Sequence, residues 1–176
     1  MDSPQPAPVA PPAIRHANEA DLPAIVAIYN ASIPSRRATA DTSPVSVDQR
    51  REWFASFNRA SRPIWVAEVA GSVAGWLGLR SFYGRPAYHR TAEVGVYVAP
   101  DAQGKGIAHA LLDHAIHGSP SLGISTLLAF VFGHNEASIA LFRKSGFMQW
   151  GALPGVAELD DVERDLLILG RRLTKP

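Results

Sequence analysis

The chain contains no cysteine. That excludes disulfides, a zinc–thiolate site and a cysteine nucleophile together. It also lacks a dominant charge: 17 Lys and Arg stand against 16 Asp and Glu, so no broad field attracts nucleic acid or acidic lipid. No apolar run approaches the roughly 18 residues of a membrane helix, and Met1-Asp2 opens no signal peptide. These absences predict a soluble, cytoplasmic protein with neither nucleic acid nor membrane among its partners. No metal site is expected either. His109 and His114 are five apart and face different directions on a helix, and His114 with His117 supplies only two ligands.

A length of 176 residues suits one domain with a single good core. Residues 1–13 are proline-rich and nearly devoid of packing side chains, which predicts a disordered tail before a domain over 14–173. No internal repeat is present.

The informative stretch is 91–112. Ala92, Val94, Val96 and Val98 alternate with Glu93, Gly95 and Tyr97, as a strand with one buried face requires. Pro100 and Asp101 end the pairing. Gln103-Gly104-Lys105-Gly106-Ile107-Ala108 then turns the chain into a helix. A helix start presents unpaired N–H groups and partial positive charge, while Gly104 and Gly106 leave the backbone approachable and Lys105 adds a cation. That suits a pyrophosphate. A bare Gly-x-Gly makes an ordinary tight turn just as well; the strand before it and the helix after it supply the context that a phosphate loop needs. It is not a Walker loop, because no Ser or Thr follows Lys105, and the glycine spacing does not make a dinucleotide fingerprint.

The same reasoning orders the rest. Ile14 to Ala17 reads as a short strand, and Leu22, Ile25, Val26, Ile28 and Tyr29 as one face of a helix capped by Asn18 or Asp21 and closing near Pro34. Ile33 to Pro44 is a polar loop. Ser46 caps a second helix, with Trp53, Phe54 and Phe57 expected in the core. Ile64–Glu68 and Ala74–Arg80 form a hairpin across Ala70-Gly71-Ser72. Ile107, Leu111, Leu112, Ala115 and Ile116 face the sheet from the helix that follows the glycine turn. Ser125–Phe132 is apolar enough to be covered on both faces. Asn135 begins a last helix that stops at Gly146. Met148–Leu153 and Val162–Leu169 are the final strands, with 154–161 a loop between them.

Gln103, Gly106 and Ala108 fill the acyl-CoA signature of the GNAT N-acetyltransferase superfamily, which this chain resembles. A second family signature is similar to Asn135-Glu136-Ala137-Ser138-Ile139-Ala140-Leu141, closing at Gly146-Phe147. Ala87 to Glu93 followed by Val96-Tyr97-Val98, and Ile28-Tyr29-Asn30, resemble the phosphinothricin acetyltransferase branch, the likeness spanning about 14–150.

The resemblance implies an α/β (α+β) fold. Its centre is a mixed, mostly antiparallel sheet of six or seven strands with about four helices, splayed between the strand of Glu93 and the strand 125–132. It implies transfer from acetyl-CoA to the primary amine of a small molecule, an amino acid or analogue of the phosphinothricin or methionine sulfone type. A protein or peptide N-acetyltransferase and an acyl-CoA-binding sensor are the alternatives. Glu93 is then the general base. Acetyl-CoA would lie along Val96, Tyr97 and Val98, on Gln103, Gly104, Lys105, Gly106, Ile107, Ala108 and His109, and against Asn135 and Ser138. A backbone N–H of Val96 or Tyr97 would meet the oxyanion, given the bulge usual in this strand. Arg85 and Tyr88 would meet the acceptor's carboxylate, with the loop 33–44 as a wall. Relatives carry Tyr or His after the Leu of the second signature to protonate the departing thiolate; Phe142 stands there, so no general acid is assigned. The last strands of such proteins often meet a second copy, which predicts a homodimer.

Overall fold

A computed structural model describes residues 11–173. Seven strands, β1 (Ala13–His16), β2 (Ile64–Val69), β3 (Ser72–Ser81), β4 (Thr91–Val98), β5 (Thr126–Phe132), β6 (Met148–Leu159) and β7 (Val162–Arg172), form one sheet in the order β1-β2-β3-β4-β5-β7-β6. Every neighbouring pair is antiparallel except β4 with β5. Four α-helices cover it: α1 (Leu22–Ser32), α2 (Val47–Ala55), α3 (Ile107–Gly118) and α4 (Glu136–Lys144). Most of the predicted tail lies outside the described residues, and β1 opens at Ala13, one residue inside the tail as expected.

Alternation divides the core by face. Trp65, Ala67, Leu77, Leu79, Ala92 and Val94 pack under α3 with Leu111, Leu112 and Ala115, while Ile64, Val66 and Trp76 pack with Ile25 and Ile28 of α1 on the other side. All five predicted α3 positions are buried. Gly75 lets α3 approach closely, since a Cβ there would stand 3.1 Å from Ile107 Cγ2. Ser46 caps α2 in a reciprocal box with Gln49. Trp53, Phe54 and Phe57, expected in the core, are only half-buried, because no residue of α2 is fully covered; Trp53 and Phe57 serve as cavity wall instead.

The β2–β3 turn runs through Ala70 (φ +50°) and Gly71 (φ +78°), the paired left-handed conformation that matches strand twist. Asp160 and Asp161 do the same between β6 and β7. Here the expected loop 154–161 needs correction: β6 continues through it to Leu159. Pro154 and Gly155 fall where the β6–β7 register shifts between Leu153 and Ala157, and β6 is an edge strand, so a residue without an N–H is tolerated. Gly155 N–H donates to Asp165 Oδ1 at 2.9 Å, restoring one lost bond.

The anticipated bulge in β4 is absent from its pairing with β3, which holds one register from Gly75↔Val98 to Ser81↔Ala92. The splay has another origin. β4 and β5 pair only at Thr91↔Thr126, Ala92↔Leu127 and Glu93↔Leu128, and then diverge. The sheet opens at Glu93.

Candidate active site

Glu93 stands where the sheet parts, beside a cavity of about 600 Å³. The register of β3 against β4 builds one wall. Trp76, Gly78 and Arg80 lie on the same face as, and directly opposite, Tyr97, Gly95 and Glu93. Two facing glycines therefore sit between a ring stack, Trp76 on Tyr97 at 4.7 Å, and an ion pair in which Arg80 Nη2 donates to Glu93 Oε1. Gly95 has only the Tyr97 ring edge near a hypothetical Cβ, at 3.6 Å, so its half of this wall is open to a ligand, whereas the Phe57 ring, 3.2 Å from a Cβ on Gly78, covers the other half.

Loop 33–44 forms the second wall through Arg37, Ala38, Thr39, Ala40 and Asp41. Asp41 accepts hydrogen bonds from Tyr29 Oη and from Arg50 Nη2, the latter at 2.9 Å, and the Arg50 guanidinium lies over the Tyr29 ring at 4.6 Å. Burial and the neighbouring Asp41 carboxylate push the Tyr29 phenol up. Burial, with Tyr29 beside it, raises Tyr97 strongly. Both phenols stay protonated at neutral pH.

The loop is tied to the start of α4. His134 Nε2 lies 2.7 Å from the Arg36 carbonyl oxygen, and Asn135 Nδ2 donates to the Arg37 carbonyl at 3.0 Å. Asn135 Oδ1 meanwhile accepts from Ser138 N–H at 3.2 Å, capping α4. Both Asn135 and Ser138 line the cavity, as does buried Phe142, whose ring meets Phe147 edge-on and which offers no proton.

The β4 backbone supplies the next component. Ala99 N–H donates to Ala74 O at 2.8 Å in the same register that pairs Tyr97 with Trp76, so the N–H and C=O groups of Tyr97, Gly95 and Glu93 point to β3. Those of Val96 and Val98 point the other way, toward the gap, and beyond Glu93↔Leu128 they have no strand partner among the described residues. Of the two oxyanion donors expected on β4, Val96 faces the gap and Tyr97 does not.

β4 leads into the glycine turn. Gln103, Gly104, Lys105 and Gly106 are exposed; Gly104 (φ +72°) and Gly106 (φ +79°) are left-handed, with no atom within 4 Å of an added Cβ. The glycines are thus demanded by backbone conformation, and the space above them is free. Gly106 caps α3, placing Ile107, Ala108 and His109 on its first turn. This surface lies outside the Glu93 cavity and is joined to it by β4. The residues present therefore fit a long acyl carrier: open N–H groups and Lys105 for a pyrophosphate, and unpaired strand backbone for an amide-bearing arm.

Arg85 and Tyr88 are not brought to this cavity. They belong to the exposed segment 83–90, where Tyr88 packs edge-on against half-buried Phe82 at 5.3 Å. The guanidinium beside Glu93 is Arg80, which sequence reasoning missed. The period of two marks Trp76, Gly78 and Arg80 as one face, but nothing local states that this face pairs with Glu93. Tyr29 and the loop that holds Asp41 were marked only by resemblance, and nothing local joins them to Arg50. Among the described residues no group of three metal-binding side chains occurs, and no helix is long and apolar enough to cross a membrane.

Residues 25–147 match the acetyltransferase (GNAT) family. Over 162 residues the chain is 51% identical to YwnH of Bacillus subtilis (strain 168), provisionally named a phosphinothricin acetyltransferase, covering 92% of this chain and 99% of that one. It is 36% identical to the L-methionine sulfoximine/L-methionine sulfone acetyltransferase of Pseudomonas aeruginosa, over 82% of this chain and 85% of that one. The crystal structure of a GNAT superfamily phosphinothricin acetyltransferase from Sinorhizobium meliloti in complex with AcCoA superposes with a TM-score of 0.88 at 31% identity, covering 95% and 94% of the two chains. With signature, splayed sheet and relatives in agreement, this chain belongs to the GNAT family of acetyltransferases and is an acetyl-CoA-dependent N-acetyltransferase.

Proposed function

We propose that the acceptor is the α-amine of a small amino acid or amino-acid analogue, of the phosphinothricin or methionine sulfone type, and that Glu93 is the base. The observation that carries this reading is the position of Glu93: at the apex of the β4–β5 splay, on a cavity that residues 37–41 also line. A wall held by two hydrogen bonds from 134–135 suits a small acceptor better than an extended peptide. The relatives named for methionine sulfone and phosphinothricin support the same substrate class.

The thioester of acetyl-CoA supplies the acyl group. Glu93 takes a proton from the bound ammonium, which with a pKa of about 10 is otherwise unreactive at neutral pH; the freed lone pair attacks the carbonyl carbon, and the second proton, shed as the N–C bond forms and the C–S bond breaks, leaves to solvent. Val96 N–H, turned to the gap, meets the carbonyl oxygen as it gains charge. Gln103 to Gly106 hold the pyrophosphate, and Val98 with Asn135 and Ser138 orients the pantetheine arm. Phe142 donates nothing, so the thiolate departs on its own acidity, a thiol pKa being about 8.5.

Glu93→Gln keeps the shape and removes the base. Turnover of the best acceptor in a panel of amino acids, sulfones, polyamines and short peptides should fall about 10²- to 10⁴-fold. An unchanged rate across pH would exclude Glu93 from the mechanism.

A further inference from the structure

Arg80 and Glu93 face each other across β3 and β4, and only part of each is covered: the Glu93 side chain is 25% exposed and that of Arg80 55%. One Nη2 contact joins them, and the rest of the Arg80 fork has no partner among the described residues. The other guanidiniums of the cavity are placed differently. Arg50 is committed to Asp41 and stacks over Tyr29 and Trp53, and Arg37 is exposed on the rim. Arg80 is thus the cation beside the base with donors to spare.

We propose that Arg80 selects the acceptor, and that the Arg80–Glu93 pair is split by an α-amino acid zwitterion. This rests on Glu93 as the group that receives the amine. An α-ammonium and an α-carboxylate hang from one carbon. An acceptor with its nitrogen at Glu93 therefore brings its carboxylate to whatever already touches Glu93, and that group is Arg80. The zwitterion has the charges of the pair in reverse order: ammonium meets Glu93, carboxylate meets the guanidinium fork. One partly exposed ion pair, worth little in water, gives way to two charge-assisted pairs, of which the Arg80–carboxylate pair has two-pronged geometry. Gly95, on the same face and next to the pair, leaves room for the α-carbon and the start of the side chain, while the Phe57 ring covers Gly78. Trp76 and Tyr97 border that space.

The exchange makes recognition and base activation one event. An amine without a carboxylate leaves Arg80 on Glu93, and the base remains occupied by its own strand neighbour. Glu93 Oε1 then stays on the guanidinium, leaving Oε2 alone to take the proton, and the other carboxylate of the cavity, Asp41, is held by Arg50 and Tyr29.

The test compares an amino acid with its neutral twin: methionine sulfone against methionine sulfone α-amide, by CoA-thiol release, in the wild-type protein, Arg80→Ala and Arg80→Lys. Wild type should favour the free acid in kcat/KM by about 10- to 100-fold, the worth of a charge-assisted pair. Arg80→Ala should bring that ratio to within a few-fold of one, the loss falling on the acid. Arg80→Lys, keeping charge without the fork, should sit between them. A general loss of fold or site order would lower both acceptors together and leave the ratio intact; that result overturns the proposal. Equal use of acid and amide by wild type overturns it while leaving the N-acetyltransferase reading of small amines in place. No turnover of either, with a different amine class responding, overturns both.

Discussion

Gly106 sits at φ +79° with open space where a side chain would go, so any cost of substitution there is conformational and not steric. Gly106→Ala should lower stability by about 1 to 2 kcal/mol, the penalty of a left-handed alanine. It should also raise the KM for acetyl-CoA, because the N–H groups at the start of α3 would be re-aimed. Urea unfolding and a titration of the initial rate check the two parts separately. Retained stability with a normal KM would show that the turn adapts. Phe142 makes the opposite point: a residue recognised from its place in a signature, lying in the cavity wall, yet chemically silent. Side-chain identity was legible in the sequence; which side chains stand together was not. Glu93 and Gly95 were marked by alternation alone, whereas Arg80 became a site residue only through the register Arg80↔Glu93, formed by segments 13 positions apart.

Elements decide the geometry of the cavity. α4 starts on Asn135, whose carbonyl oxygen caps the helix while its amide nitrogen holds loop 33–44 by the Arg37 carbonyl. One side chain thus joins a helix end to the acceptor wall, and two substitutions separate the roles. Asn135→Ala removes both and should cost about 1 kcal/mol of stability through the lost cap. Asn135→Asp keeps the cap but sets a carboxylate oxygen against a carbonyl, so the loop should release. Acceptor KM should then rise with little change in unfolding free energy. Equal acceptor kinetics in wild type and Asn135→Asp would show that this tie does not shape the wall. Most elements were legible, since hydrophobic period, Ser46, Asn135 and the glycine stops are local signals. β6 was not: Pro154-Gly155 reads as a break, and only an edge position with a register shift lets a strand run through it.

At the scale of the molecule, pH acts on the fold through two histidines packed on one tryptophan. His16 lies 5.8 Å and His114 5.0 Å from the Trp65 ring, between β1, β2 and α3. Burial, first, lowers both imidazoles from their ordinary 6.5, and for His16 nearby Arg59 and His114 add to it. His16 Nδ1 is buried without a hydrogen-bond partner among the described residues. Between the ordinary and the lowered values the unfolded chain binds more protons than the folded one. Stability is therefore fully present above pH 6.5 and declines as pH falls from 6.5 through the folded-state values. Asp21 does not contribute to this window, because its hydrogen bonds from Arg15 hold it below 3.8. The melting temperature should fall on acidification from pH 7.5 to 5, and a His16→Gln, His114→Gln double variant should flatten that slope. A slope unchanged in the variant would assign the effect elsewhere.

The sequence by itself determined the reaction class and marked the stretches proposed to hold the acyl carrier. Those depend on contiguous stretches, Ala92–Val98 with Gln103–Ala108 and Asn135–Phe147, in which backbone conformation and residue type act locally. Only the tertiary structure decided the acceptor site. Its walls come from α1, loop 33–44, α2, β3, β4, β5, α4 and the β6–β7 hairpin, and its sharpest feature, a glutamate held by an arginine at the point where β4 leaves β5, exists only through strand pairing. Pairing partners are chosen by the burial of whole faces, an energy summed over the molecule that no single stretch contains.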